Sequence, residues 1–421
     1  MRIGVLGSGG REHALQWKLA QSPLAETVYC LPGNGGTTNN VPVDPADLEA
    51  VAGACDRFGL DLLVVGPEDP LASGIVDRMT DHRTRVFGPT ASGARLESSK
   101  IWAKAFMERH SIPTASHAEI RSADDAQAAF SRFNGAVLKA DGLAAGKGVV
   151  VCREAADVPD AWAHLAGLRP SDERFLAEEL IHGWELSILV LTDSNAWRAF
   201  TPAQDHKPLL EGDRGPNTGG MGAFCPVPAC DRELMDRISA EVIDPTLNGL
   251  RADGIPYTGF LYFGLMITED GLRVLEYNVR LGDPEAEILL PALSSDLCEA
   301  IVACLDGRLS EAPFVLSDRV FTDVVLASGG YPGTYETGMP IHGLETCSAI
   351  SDSVVFHAGT RREGNSVVTS GGRVLNVIGS GATLDAAIET AYAAVQRISF
   401  DGMVFRRDIG RRNQADLREP S

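Results

Sequence analysis

No apolar run in this chain approaches the ~20 residues that a membrane-spanning helix needs, so no segment is expected to cross a bilayer. Basic residues are in deficit: 37 Lys and Arg face 57 Asp and Glu, a formal net charge of −20, and nothing reads as a basic stripe. That balance argues against nucleic acid or an anionic membrane surface as a partner. The eight cysteines (Cys30, Cys55, Cys152, Cys225, Cys230, Cys298, Cys304 and Cys347) contain no C-x-x-C and no paired spacing that suits zinc. They read as small hydrophobes in a reducing cytoplasm, which is the expected location. Met1-Arg2 runs straight into a strand, so no signal peptide is expected. G-x-S-x-G, H-E-x-x-H and a context for a nucleophilic cysteine are all missing, which removes the chemistries those motifs carry.

What is present is ordinary in bulk and unusual in glycine. With 421 residues, 44% apolar and 22% charged, the chain is long enough for two or three domains with a large core. Its 44 glycines exceed the usual share of ~7% and fall in discrete clusters, which favours backbone–ligand contacts over low complexity.

The first cluster, Gly7-Ser8-Gly9-Gly10, follows the apolar run Ile3–Leu6 and opens a helix. A dinucleotide fingerprint would place its third glycine at position 12, which is Glu12, and an acidic residue at the end of the second strand, where Leu31-Pro32-Gly33-Asn34 stands. The nicotinamide reading fails both checks. Gly-rich backbone at a helix N-terminus still suits a lone phosphate; a packed strand-to-helix turn without ligand is the alternative.

Residues 1 to about 95 alternate apolar runs with amphipathic stretches, which predicts parallel β-strands with crossover helices. From Leu96 the texture changes. The spacing predicts a helix capped by Ser98 or Ser99 and stopped before Pro113, then a small α+β unit, then a glycine-rich loop at "EGDRGPNTGGMGAF", a helix over about 231–250 and a hairpin around Glu269-Asp270-Gly271. The last hundred residues are strand-rich, with one helix that puts Leu384, Ile388, Tyr392 and Val395 on one face.

Three stretches carry chemistry. "LKADGLAAGKGVVV" (138–151) is one residue short of a P-loop and has strands on both sides. A glycine hairpin with Lys139 before it and Lys147 at its tip can fold over a triphosphate; a flexible hairpin with a solvated lysine is the alternative. On the strand 273–279, alternation places Glu276 and Asn278 on one face, a hard-oxygen pair suited to Mg²⁺, with Arg280 beyond them. A surface strand with solvated charges is the plain reading of the same pattern. "AEELIHGWELS" offers Glu178, Glu179 and Glu185, of which one carboxylate would hold ribose hydroxyls, and "AQDHKP" and "GPNTGGMG" put Asp205, His206, Lys207, Asn217 and Thr218 in polar loops.

Taken together, "GSGGREHAL", "PGN", "VGPE", "FGPT", "SSK", "KADGLAAGKGV", "QDHK", "GPNTGGMGA", "YTGFLY", "GDPE", "GGYPG", "VFHAGT" and "GGRVL" resemble, in order and nearly end to end, the phosphoribosylamine–glycine ligases of the ATP-grasp superfamily. The resemblance implies an α/β fold in three parts: an N-terminal parallel-sheet domain (1–100), a two-part ATP-grasp centre (101–325, with a mobile glycine-loop subdomain at about 115–190) and a small strand-rich C-terminal domain (326–421). It implies the joining of glycine to 5-phosphoribosylamine with ATP through glycyl phosphate, the second step of purine synthesis, in a chain expected to be a monomer. ATP would meet Lys100, Lys139, Gly142, Gly146, Lys147, Glu178, Glu179, Ile181 and Glu185, and Mg²⁺ or Mn²⁺ would sit on Glu276 and Asn278. Arg280, Asp205 and Lys147 would act in catalysis. Substrates would contact Gly9, Gly10, Asn34, Glu68, Asp205, Lys207, Asn217, Thr218, Gly219 and Arg280. Three positions depart from the family pattern: Ser8 for Asn, Trp184 for an acid, and Glu287 for Gln (adding negative charge near the metal); Gly264 stands where many other ATP-grasp enzymes carry a second metal-binding glutamate, which favours a single metal site.

Overall fold

The opening apolar run forms β1 (Arg2–Gly7), and the next three form β2 (Thr27–Pro32), β3 (Leu62–Val65) and β4 (Arg85–Phe87). These strands pair in parallel in the order β2-β1-β3-β4, as continuous apolar runs separated by helices dictate. The computed structural model describes residues 1–143, 148–168, 174–347 and 349–411.

A second layer begins with the helix Lys100–Arg109, capped by Ser99, whose hydroxyl accepts the Trp102 N–H at 3.2 Å. Beyond it, β5 (His117–Ile120), β6 (Ala136–Ala140), β7 (Val149–Cys152) and β8 (Phe175–Glu179) form an antiparallel sheet in the order β5-β8-β6-β7. The helices Ala123–Phe133 and Val158–Leu168 bury Ala126, Ala161 and Leu165 against Leu138 and Phe175. A third sheet, β10-β9-β15-β16, is built from β9 (Trp184–Thr192), β10 (Trp197–Ala199), β15 (Gly259–Thr268) and β16 (Gly271–Asn278). The expected hairpin around Asp270 joins the last two.

Two expectations need correction. The stretch after Lys207 is not only loop: β12 (Pro208–Leu210) and β13 (Arg214–Asn217) pair as a hairpin, because Gly212 at φ 68° and Asp213 at φ 53° supply the left-handed turn. The helix expected over 231–250 is interrupted by a π segment, Ser239–Ile243, just before Pro245, which has no N–H to donate to the preceding turn.

The C-terminal sheet is assembled from two distant parts of the chain. β11 (Gln204–Asp205) and β14 (Gly222–Cys225) lead into β17 (Val320–Ser328), β21 (Arg373–Gly381) and β18 (Ser353–His357), with β22 (Met403–Val404) beside β17. The small hairpin of β19 (Thr360–Glu363) and β20 (Ser366–Thr369) projects from this region. A boundary at 325/326 therefore falls inside β17. The helix Leu384–Val395 covers one face of the sheet, burying Ile388 and Val395 as its periodicity requires.

Candidate functional site

A cavity of about 1360 Å³ lies between the two antiparallel sheets, with Arg11 and Glu68 entering from the N-terminal layer and Arg373 from the C-terminal sheet. Val149 and Val151 of β7 line it and stay more than a third exposed (39% and 38%), an apolar wall with room for a planar base. Glu179, Ile181 and Glu185 also line it.

Lys100 and Lys139 reach this cavity, but their partners differ from expectation. Lys100 donates to the Gly142 carbonyl at 2.8 Å, at the start of the glycine loop. Lys139 pairs with Glu178 Oε1 at 2.7 Å, while Lys104, a residue no motif singled out, pairs with Oε2 at 2.9 Å. Burial would raise the Glu178 carboxyl, yet the two ammoniums hold it below its usual range. Glu178 is 2% exposed and fully engaged, so it is a structural anchor for the lysines and leaves the ribose contact to Glu179 or Glu185. Gly146 and Lys147 lie outside the described residues.

Glu276 and Asn278 both face the cavity from β16, and between them Tyr277 is buried against Phe263 and bonded to Thr246. A bulge at Leu275, opposite the Gly264/Leu265 step, sits just before the pair. One terminal atom of the Asn278 amide lies 2.9 Å from Glu97 Oε1 and 3.2 Å from the Tyr277 carbonyl; both neighbours are acceptors, so that atom is assigned as the nitrogen and the oxygen points away from them. A carboxylate and an amide oxygen at a cavity wall are hard donors of the kind Mg²⁺ or Mn²⁺ takes. Among the described residues no group of three or more His, Cys, Asp or Glu could hold a metal. The donor set therefore fits a cation that completes its shell with phosphate oxygens and water.

The substrate side is a lattice of matched charges. Arg280 donates to Glu68 Oε2 at 3.1 Å and lies 3.0 Å from Glu97 Oε1. Glu97 also accepts the Val279 N–H at 2.7 Å. Burial pushes its carboxyl up to about 7, helped by Glu68, against the pull of Arg280 and the Val279 N–H. Lys207 bridges Asp205, at 3.0 Å, and Glu185. Burial pushes Asp205 up to about 6, while Lys207 opposes it. Beneath them Ser187 Oγ donates to the buried Glu285 at 2.9 Å and lies 3.0 Å from the Tyr262 hydroxyl.

Asn217, Thr218 and Gly219 line the mouth of the cavity. The Thr218 hydroxyl donates to the Lys207 carbonyl at 2.7 Å, and the Gly219 N–H donates to the Tyr331 hydroxyl at 2.9 Å. Arg373 fixes the same loop: it donates to the carbonyls of Gly219 and Asp283 and pairs with the Asp283 carboxylate at 3.1 Å. His206 is 1% exposed and accepts the Gly410 N–H at 3.1 Å, a structural role rather than a base.

The first glycine cluster departs most from expectation. The Gly9 N–H donates to Glu12 Oε2 at 2.6 Å, so the chain's own carboxylate caps the helix where a phosphate was expected. Asn34 is spent on the carbonyls of Ser8, at 2.9 Å, and His357, at 2.6 Å, tying the N-terminal layer to the C-terminal sheet. Gly9, Gly10 and Asn34 do not line the cavity, whereas Glu68 does. Glu287 also moves away from the metal: its carboxyl packs beside Gly10 and Asn376, fully buried with neither oxygen bonded. Burial, then Asp283 and Asp323, raise its pKa well above the usual range, so the pocket disfavours its charged form.

Profiles of three phosphoribosylglycinamide synthetase domains match this chain: the N domain over residues 1–97, the ATP-grasp (A) domain over 98–286 and the C domain over 321–412. Phosphoribosylamine–glycine ligases from Ralstonia nicotianae and Chlorobaculum tepidum are 47% and 45% identical to it, over 98% and 97% of this chain and 99% of each relative. The crystal structure of the phosphoribosylamine–glycine ligase from Thermotoga maritima superposes with a TM-score of 0.83 at 33% identity, covering 97% of this chain and all of that one.

Proposed function

This chain belongs to the phosphoribosylglycinamide synthetase family, and from that premise we propose that it joins glycine to 5-phosphoribosylamine with ATP, giving glycinamide ribonucleotide, ADP and phosphate. One observation carries the reading: the three matched domains each send side chains into a single cavity, Arg11 and Glu68 from the first, Lys100 and Glu276 from the second, Arg373 from the third.

The nucleotide fits between the antiparallel sheets, its base on Val149 and Val151 and its phosphates toward Lys100 and Lys139. Glu276 and Asn278 would hold the divalent cation, Mg²⁺ first and Mn²⁺ as the alternative; when bound, the cation neutralises phosphate charge during transfer. The glycine carboxylate attacks the γ-phosphate and ADP leaves; the amine of the ribosylamine then attacks the acyl carbon of glycyl phosphate, and phosphate leaves with the amine's proton released. Chemistry of this kind needs positioned reactants and shielded charge, not a covalent protein nucleophile. Arg280, oriented by Glu68 and Glu97, faces the carboxylate of glycine, and Asp205 faces its ammonium. The ribose phosphate is assigned to the mouth near Arg373 and Asn217–Gly219 in place of the capped glycine turn. Lys147 keeps its expected place over the triphosphate only through the family resemblance. No helix among the described residues is long and apolar enough to cross a membrane, and the eight unpaired cysteines support a reducing, cytoplasmic setting.

The test is ADP release measured with each substrate omitted in turn, with the product identified by mass. The reading expects release only when glycine and phosphoribosylamine are both present, and its loss in Glu276→Ala. Equal release with other amino acids in place of glycine would point instead to a different carboxylate–amine ligase.

A further inference from the structure

Three consecutive residues at the end of β16 converge on one carboxylate. Glu97, at the end of the helix Ala91–Ser98 and 8% exposed, lies 2.9 Å from the Asn278 amide atom assigned as nitrogen, 2.7 Å from the Val279 N–H and 3.0 Å from the Arg280 guanidinium. The Asn278 and Arg280 contacts share Oε1, and the Val279 contact takes Oε2. Asn278 is the only one of the three whose orientation is ambiguous on its own, because an amide presents either oxygen or nitrogen to the cavity. The carboxylate, the nearer and charged of the two acceptors that face this atom (the Tyr277 carbonyl is the other, at 3.2 Å), decides this, since an acceptor already aimed at the strand end repels the amide oxygen and attracts the nitrogen.

We propose that Glu97 is the positioning residue of the cation site: it turns the Asn278 oxygen into the cavity while holding Arg280 in register with it. This rests on the reading of Glu276 and Asn278 as the cation's ligands. Glu97 does not touch the cation. It sets which atom of Asn278 does, and it links the metal side of the cavity to the side that grips the amino acid.

Swapping the polarity of the contact makes the proposal testable. In Glu97→Gln, one amide group must serve three donors, and its NH₂ rewards an Asn278 that turns its oxygen inward, away from the cation. In Asn278→Asp alone, an oxygen is forced against Glu97, so the variant is expected to bind metal less well although it carries the stronger ligand. In the double variant Glu97→Gln/Asn278→Asp, one oxygen of the new carboxylate meets the Gln NH₂ and the other faces the cavity.

The measurement is Mn²⁺ binding in the presence of ADP, followed by electron paramagnetic resonance of the free ion. Each single variant is expected to weaken Mn²⁺ by roughly tenfold or more, the usual effect of losing a residue that orients a ligand, and the double variant is expected to regain most of that loss. Glu97→Gln binding as tightly as the parent, Asn278→Asp binding more tightly, or a double variant no better than Glu97→Gln would each overturn the proposal. Because Asn278→Asp leaves Glu97 in place, its result stands even if Glu97→Gln does not fold. Glu276→Ala separates the two levels: unchanged Mn²⁺ binding there would remove the ligand assignment itself, whereas its loss beside an unaffected Glu97→Gln removes the positioning role alone.

Discussion

Lys104 and Lys139 share one carboxylate: their ammoniums lie 2.9 Å and 2.7 Å from the two oxygens of Glu178, all three side chains less than a tenth exposed. Removing the acid leaves two buried cations with nothing to offset them. Glu178→Ala should cost roughly 3–5 kcal/mol of stability, the range seen when one partner of a buried ion pair is deleted. Thermal or urea unfolding checks this. A loss below about 1 kcal/mol would mean that water reaches the lysines and the cluster is not the anchor described above.

The polar pocket behind Gly10 should make stability depend on pH. Burial pushes Asp323 from its usual 3.8 up to about 8 and raises Glu287 well above its usual range, so the folded chain holds protons that the unfolded chain releases above pH 4. Their contribution is fully present below the ordinary carboxyl pKa and is lost as pH rises toward 8, by up to about 1.4 kcal/mol per pH unit and group. Glu287→Gln keeps the neutral, hydrogen-bonding shape without the titration. Its stability advantage over the parent should therefore grow from pH 5 to pH 8 in urea titrations, and a constant difference would refute the assignment of a protonated Glu287.

Two glycines in helices should respond oppositely to alanine. At Gly10 a methyl group would meet Asn376 Oδ1 at 3.0 Å and Glu287 Oε1 closer still, at a junction where the neighbours are buried. Gly53, in the exposed part of the helix Leu48–Phe58, has nothing within 4 Å. Gly53→Ala should stabilise by about 0.5–1 kcal/mol, while Gly10→Ala should destabilise by about 1–3 kcal/mol, the cost of overpacking. Melting temperatures of the two single variants give the signs directly.

Arg280→Lys tests the substrate side. A lysine carries one compact charge and cannot span Glu68 and Glu97 as the guanidinium does. The expected outcome is a KM for glycine raised about tenfold or more with the KM for ATP little changed, measured by initial rates of ADP release. Equal effects on both constants would move Arg280 from the amino acid to the nucleotide.

Fold and site were legible in the sequence to different depths. Apolar runs separated by amphipathic stretches gave the parallel sheet, and the Ser99 cap, the hairpin at Asp270 and the two-residue spacing of Glu276 and Asn278 were all local features that local physics decides. What escaped was pairing at a distance. Nothing near Glu97 or Lys104 announces that they will meet Arg280 or Glu178, since each reads as one more charge on an amphipathic helix. The glycine turn failed for the same reason: its N–H groups invited an anion, and only the folded helix shows that Glu12 already fills that role. Glu287 beside a metal motif read as added charge, until the fold turned it toward the C-terminal sheet, where burial disfavours its charge.

The shared sheet has a consequence for how the protein is made. β14 pairs with β17, and β17 with β21, so the edge left by residues 222–225 finds its neighbour only after residues 320–328 have been synthesised. On the ribosome the N-terminal parallel sheet has all its strands early, whereas the Lys207 side of the cavity waits, with an open strand edge, for the far end of the chain. A chain released before β21 would leave one edge of β17 unpaired and would lack Arg373, the C-terminal sheet's contribution to the cavity.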